Sequence, residues 1–360
     1  MVRPKGIGGD CYDDEEGDRR GFGGNSSVQL KEVGVSCMLS TEVGALLAVI
    51  RRPVDPNATD VTVADTHVIV ALKNLRSLIF QPHGEWHTID PVLYISPFIN
   101  VIQSDEIPAP ATALAISAVL KIIRLNIFDE KTPGAGDAIQ AVVHGITNCR
   151  LERTDHVTED AVLMRILQVL LAVMRSRVSA FLTDHAVTTV VNTCFQVVQH
   201  SACRGDMLQK NARHTMHELV QIIFIKLPEI KPNGSGKGSE IEFDEEGGLI
   251  GPPVYGTQCM VDIFKFLCSL LNVVVECSDG LGPMSWDEDV QLFALILINS
   301  AIELGGEAIG NHPRLLWTIQ DELFYYLIYY GTRSTPLFLS MICSTVLNLY
   351  HFLRRSVDVV

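Results

Sequence analysis

Few residue groupings in this 360-residue sequence could do chemistry, and each fails on spacing. Gly234-Ser235-Gly236-Lys237-Gly238-Ser239 has the glycines and the lysine of a phosphate-cradling loop. Such a loop needs Ser or Thr directly after the lysine, where the hydroxyl reaches magnesium, and a strand ahead of it. Gly238 takes the hydroxyl position and no strand pattern precedes, so the stretch reads as linker. His83 and His87 flank Glu85, and His214 and His217 share a helical stretch. The first pair begins between Pro82 and Gly84, where no helix fixes its spacing, and the second lacks a third ligand; both read as surface or capping histidines. The nine cysteines stand singly, without a C-x-x-C pair. They read as small hydrophobes of a reduced, cytosolic protein, with Cys194 and Cys343 on apolar helix faces where a thiol is inert. No catalytic residue, metal site or cofactor is expected.

The groups that remain are charges suited to contact. Lys121 interrupts an otherwise apolar helix and Asp160 opens another, so both are candidates for the rim of a helical interface with a partner.

Helices must position them. From Ala161 to Arg175 nearly every residue is apolar, with Arg165, Gln168 and Arg175 on one narrow stripe, which predicts a helix covered on most sides. Thr158 is its expected N-cap, with Glu159 and Asp160 in the first turn, where the helix dipole favours negative charge. A second helix opening near Thr183 puts Val187, Val190, Val191, Cys194, Phe195 and Val198 on one face. The two are expected to pack as a hairpin of about 40 residues, the unit length of HEAT and armadillo repeats.

The same periodicity recurs along the chain and strand alternation does not, so the expected fold is all-α, a HEAT/armadillo-like α-solenoid of stacked helical hairpins. Residues 1–31, an acidic and Gly-Ser stretch, read as a disordered leader. A helical domain is expected over 35–230, a flexible linker over 231–256 and a further helical segment over 257–360. Thr335 to Leu353 is nearly long enough to cross a bilayer, but polar residues at helical spacing favour a buried helix.

Net charge is −14 with no basic block, which argues against nucleic acid as a partner and against direct binding to an anionic membrane. The N-terminus runs into glycine and acids where a signal peptide would be apolar.

Several strings resemble a known family. WHTIDPVLYISPFINVIQSDE (Trp86 to Glu106), VLMRILQVLLAVM (Val162 to Met174), VVNTCFQVV (Val190 to Val198) and ARHTMHELV (Ala212 to Val220) are similar to a dimerisation and cyclophilin-binding domain. That domain stands at the N-terminus of large Arf guanine-nucleotide exchange factors, and the likeness is to the plant GNOM, or Golgi brefeldin-resistance, type. LFALILINSAIELGG (Leu292 to Gly306), LLWTIQDELF (Leu315 to Phe324) and STVLNLYHFLR (Ser344 to Arg354) resemble the start of the homology-upstream region that follows it. The Asn-Tyr/Phe-Asp-Cys box of that region and the Sec-seven exchange domain have no counterpart here, so exchange activity is expected of a parent protein and not of this chain.

The resemblance implies a regulatory, self-associating module in vesicle trafficking. Its implied partners are itself as a homodimer, the downstream region of a large Arf exchange factor, and a cyclophilin. Its implied place is the cytosol, peripherally on Golgi or endosomal membranes. A free-standing solenoid adaptor that binds or competes with full-length factors is the alternative.

Overall fold

A computed structural model describes residues 23–50, 67–81, 85–105, 107–149, 156–202, 206–230, 255–272, 284–332 and 335–357. The helices are α1 (Gly23–Ile50), α2 (His67–Phe80), α3 (Pro91–Gln103), α4 (Ala109–Arg124), α5 (Ala135–Thr147), α6 (His156–Arg175), α7 (Asp184–Ser201) and α8 (Asp206–Phe224). They continue with α9 (Thr257–Leu270), α10 (Met284–Gly305), α11 (Pro313–Thr318), α12 (Phe324–Gly331) and α13 (Pro336–Val357). A π-helical segment, Ile319–Leu323, joins α11 to α12. Among the described residues there is no strand, and the chain is an all-α solenoid.

The stack has two layers. In one, α1, α4, α6, α8, α10 and α13 pack in that order; in the other, α2, α3, α5, α7, α9 and α11 do the same. Successive hairpins are therefore α1/α2, α3/α4, α5/α6, α7/α8, α9/α10 and α11–α12/α13. The expected hairpin of α6 with α7 is not what forms. A 3-10 turn, Arg177–Phe181, packs on α5 and carries the chain across to the other layer and on to the next repeat. Gln140 Nε2 pins that turn by donating to the Phe181 carbonyl at 2.8 Å. Thus α6 lies between α4 and α8, while α7 packs on α5, α8 and α9.

The reason is that α6 needs cover on opposite sides. Val162, Leu163, Ile166, Leu167, Val169, Leu170, Val173 and Met174 are all buried, and each is worth about 1.5–3 kcal/mol over exposure. One hairpin partner would leave half of them wet. The face expected on α7 is buried as read, from Val187 to Val198.

Caps set several boundaries. Asp90 accepts from the Val92 N–H at 2.9 Å ahead of Pro91, and Thr183 accepts from the Ala186 N–H at 3.2 Å. Helix α6 opens at His156, which places Thr158 inside the first turn and not at the cap expected for it. Helix α1 opens at Gly23, in the stretch read as leader and well before the expected start at Val35. Its Glu32 Oε2 accepts from the Trp86 backbone N–H at 2.7 Å and Ser36 Oγ from Trp86 Nε1 at 3.0 Å. Trp86 is buried edge-on to Tyr94, with ring centres 5.6 Å apart, so tertiary contact holds α1 at Glu32 and Ser36. Residues 1–22 and 231–254 lie outside the described residues, as does the glycine-rich run Gly234 to Ser239.

The layer of α3 and α5 closes through Gly145. A Cβ there would stand 2.7 Å from Ile99 Cγ2 and 2.9 Å from its Cδ1. Gly145→Ala should therefore lower stability by about 1–3 kcal/mol despite its better helix propensity. Denaturant unfolding checks this; an unchanged midpoint would mean that the two helices are free to part.

Candidate partner-binding surfaces

Lys121 lies in the last turn of α4, and its Nζ pairs with Glu42 Oε1 of α1. Half of the lysine side chain is in solvent, whereas Glu42 is 7% exposed. Much of the lysine's charge is thus spent inside the chain, neutralising a carboxylate that the apolar face of α1 would otherwise bury alone. Asp160 stands half-buried in the first turns of α6; its neighbour Glu159 meets His200 at 3.2 Å. The connections make α4 and α6 run the same way, so Lys121 and Asp160 lie toward opposite ends of one layer. The structure does not bring them together. Glu42 was missed in the sequence although a signal was present: it is the one charge between Val33 and Ile50 of α1, as Lys121 is between Ala109 and Ile123 of α4.

A second cluster joins the repeats before residue 231 to those after 254. Asp184, at the start of α7, accepts from the Gly256 N–H at 2.7 Å through Oδ1. The adjoining Tyr255 is fully buried beneath Lys226, whose Nζ is 4.7 Å from the ring centre. His312 is buried there too, its Nδ1 3.5 Å from Thr257 Oγ1. Further along, Phe195 meets Phe266 edge-on at 5.1 Å, and Phe224 meets Phe264 at 6.3 Å. His217 Nε2 lies 2.7 Å from Ser300 Oγ, and Arg213 pairs with Asp289 while covering the Phe293 ring at 5.1 Å. A linker by composition therefore ends in a packed seam.

Sulfur and imidazole chemistry follow burial. Burial pushes the Cys194 thiol up to about 12 and the Cys149 thiol up to about 11, and raises those of Cys259 and Cys268 as well. Cys343, expected to be covered on an apolar face, is exposed. His87 pairs with Glu85 on the surface at 2.7 Å, and His214 lies 3.5 Å from Glu218; His83 is outside the described residues. Among the described residues no three His, Cys, Asp or Glu side chains converge as metal ligands. A cleft of about 300 Å³ beside Phe181 is lined by residues 130–136 and brings in a single lysine and a single glutamate, Lys131 and Glu130.

Among the described residues, three helical stretches are long and apolar enough to cross a membrane, Lys31–Ile50, Glu288–Asn311 and Pro336–Arg354. The last was expected to be buried. It buries Phe338, Ile342, Leu349 and Leu353 against the stack but exposes Leu347 and Tyr350 on its far side.

Comparison with known proteins decides the family. Residues 256–358 match the Mon2/Sec7/BIG1-like HUS domain. The ARF guanine-nucleotide exchange factor GNL2 of Arabidopsis thaliana is 60% identical over 333 residues, covering 90% of this chain and 24% of that protein. The sequence is that of a GNOM-like ARF exchange-factor region. The exchange factor GNOM of the same plant is 42% identical over 89% of the chain and 26% of its own length. GNL1 is 39% identical over 88% of the chain and likewise 26% of its own length. The chain thus spans about a quarter of the length of these relatives. In this GNOM-like chain the HUS match opens at Gly256, the residue whose N–H is held by Asp184 of α7. The HUS segment is bound to the repeats before it at its first residue.

Two outcomes follow. Lys121→Glu should cost about 1–3 kcal/mol by leaving Glu42 buried against a like charge, and the exchanged pair Glu42→Lys with Lys121→Glu should regain much of it; thermal melts decide. For the seam, burial and then His214 pull the His217 imidazole below its ordinary value, against Glu218 and Glu303, and burial lowers His312. The unfolded chain then binds those protons more readily, so stability is intact above the ordinary histidine value of about 6.5 and falls as pH drops through it toward the lowered values. Melting temperature should fall from pH 7.5 to 5.5, and less steeply in His217→Gln; identical pH profiles would contradict this.

Proposed function

We propose that this chain is a regulatory and self-associating N-terminal module of a GNOM-like ARF exchange factor, one that governs recruitment and assembly while another domain performs exchange. Sequence identity to GNL2 that runs through nine-tenths of the chain carries this reading. The build of the chain supports it: stacked hairpins offer long helical surfaces to other proteins, as α-solenoids do. The partners are a second copy, the downstream region of a large ARF exchange factor, and a cyclophilin. Membrane contact is peripheral, at Golgi or endosomal membranes.

Association of this kind works by burying apolar helix faces, with charged groups at the margin setting orientation. The seam at Gly256 supports a mechanical role, because a partner that loads the repeats before it also loads the HUS segment.

The test uses purified chain and an ARF GTPase loaded with a fluorescent guanine nucleotide. Nucleotide release should stay at the intrinsic rate, while the immobilised chain should retain a full-length GNOM-like factor. Release accelerated in proportion to added chain would overturn the reading.

A further inference from the structure

The flank formed by α9 and α11 carries a tryptophan between two cations. Residues 256–332 hold ten Asp or Glu and two Lys or Arg, and the fold gathers both of those cations, Lys265 and Arg314, at Trp317. Lys265 Nζ stands 5.6 Å from the indole centre. Arg314, one turn before Trp317 on α11, donates from Nη1 to Gln258 Oε1 of α9 at 2.6 Å. Trp317 is 53% exposed all the same. This flank is not the end of the stack. Helix α9 is covered by α7 on one side and α11 on the other, yet its Gln258, Asp262 and Ser269 stay exposed, and Trp317 lies on that same flank beside Lys265. Past Trp317 the chain continues through the π-helical segment Ile319–Leu323, a rare form that recurs at functional sites.

The geometry points to this flank as a docking site for an acidic segment of a partner protein, whose apolar side chain lies on Trp317 while neighbouring carboxylates meet Lys265 and Arg314. The inference is independent of the self-association and exchange-factor contacts proposed above. A large ring left in water gains by being covered, and tryptophan and arginine are the residues most enriched among those that dominate binding energy. Charge selects the occupant. An acidic segment is repelled over most of residues 256–332 and attracted where their two cations stand together. A basic partner, drawn to the ten acids, has no reason to settle there. Screening over about 8 Å at physiological salt confines the attraction to the patch itself. Asp262, which accepts from Gln258 Nε2 at 2.9 Å, and Asp321, one turn after Trp317, bound the patch and restrict the partner's carboxylates to Lys265 and Arg314. An anionic bilayer engages clusters of about four to eight cations, and this patch has two.

The experiment selects short random peptides, displayed on phage, on the immobilised full chain. Those enriched are synthesised and titrated by fluorescence anisotropy against wild type, Trp317→Ala and Arg314→Glu. The enriched sequences should place Asp or Glu beside an aromatic or large aliphatic residue. Their affinity should fall about 30-fold in Trp317→Ala and about 5-fold or more in Arg314→Glu, and should weaken as salt is added. Versions with Lys in place of each acid should not bind. Trp317 and Arg314 are exposed, so helical circular dichroism should be unchanged. Should Trp317→Ala not fold, Arg314→Glu and Lys265→Glu decide. No enriched sequence, enrichment of sequences without acids, or an affinity that the variants leave unchanged would overturn the proposal. Binding of phosphatidylserine vesicles, or of a second copy, that Trp317→Ala abolishes while no peptide binds would give the flank to lipid or to that copy, and would overturn it equally.

Discussion

A helix that is apolar on opposite sides needs a neighbour on each, and α6 imposes that demand on the whole chain. Leu163 and Leu170 are buried together with Val169 and Val173, so α6 is sandwiched between α4 and α8. Each of those helices has an outer side of its own, which passes the demand along the layer. The result is an array whose stability is close to a sum of nearest-neighbour seams.

The seam around Gly256 gives this array a particular property. The HUS match begins where Asp184, Lys226 and His312 converge on Gly256, Tyr255 and Thr257 in turn. The aromatic pairs Phe195 with Phe266 and Phe224 with Phe264 then continue the packing inward. A segment held this way shifts with the repeats before it, because packed helices re-register in steps more readily than they bend. Burial of His217 and His312 ties the same seam to proton concentration.

Charge is used sparingly and locally. Glu42 and Lys121 neutralise each other between α1 and α4, and Arg213 with Asp289 does the same between α8 and α10. The chain carries a net charge of −14, while residues 324–331 and 336–353 contain no Asp, Glu, Lys or Arg.

The amino-acid sequence by itself determined the helices, their buried faces and several of their caps, because 3.6-residue periodicity and N-cap chemistry are local. The stripe from Val187 to Val198, Asp90 ahead of Pro91, and Thr183 ahead of α7 were all legible that way. The similarity to GNOM-type exchange factors was equally legible, since it lies in the order of residues. Which helix covers which was not: periodicity states that a face is buried, never by what. Hence the hairpin frame was read one helix out of step, with α6 joined to α7 where the fold pairs α5 with α6 and α7 with α8. Lys121 looked like a free rim charge until α1 set Glu42 beside it, and Cys343 looked covered until the fold left it exposed. Those outcomes depend on contacts between residues tens of positions apart, and only the folded chain brings such residues together.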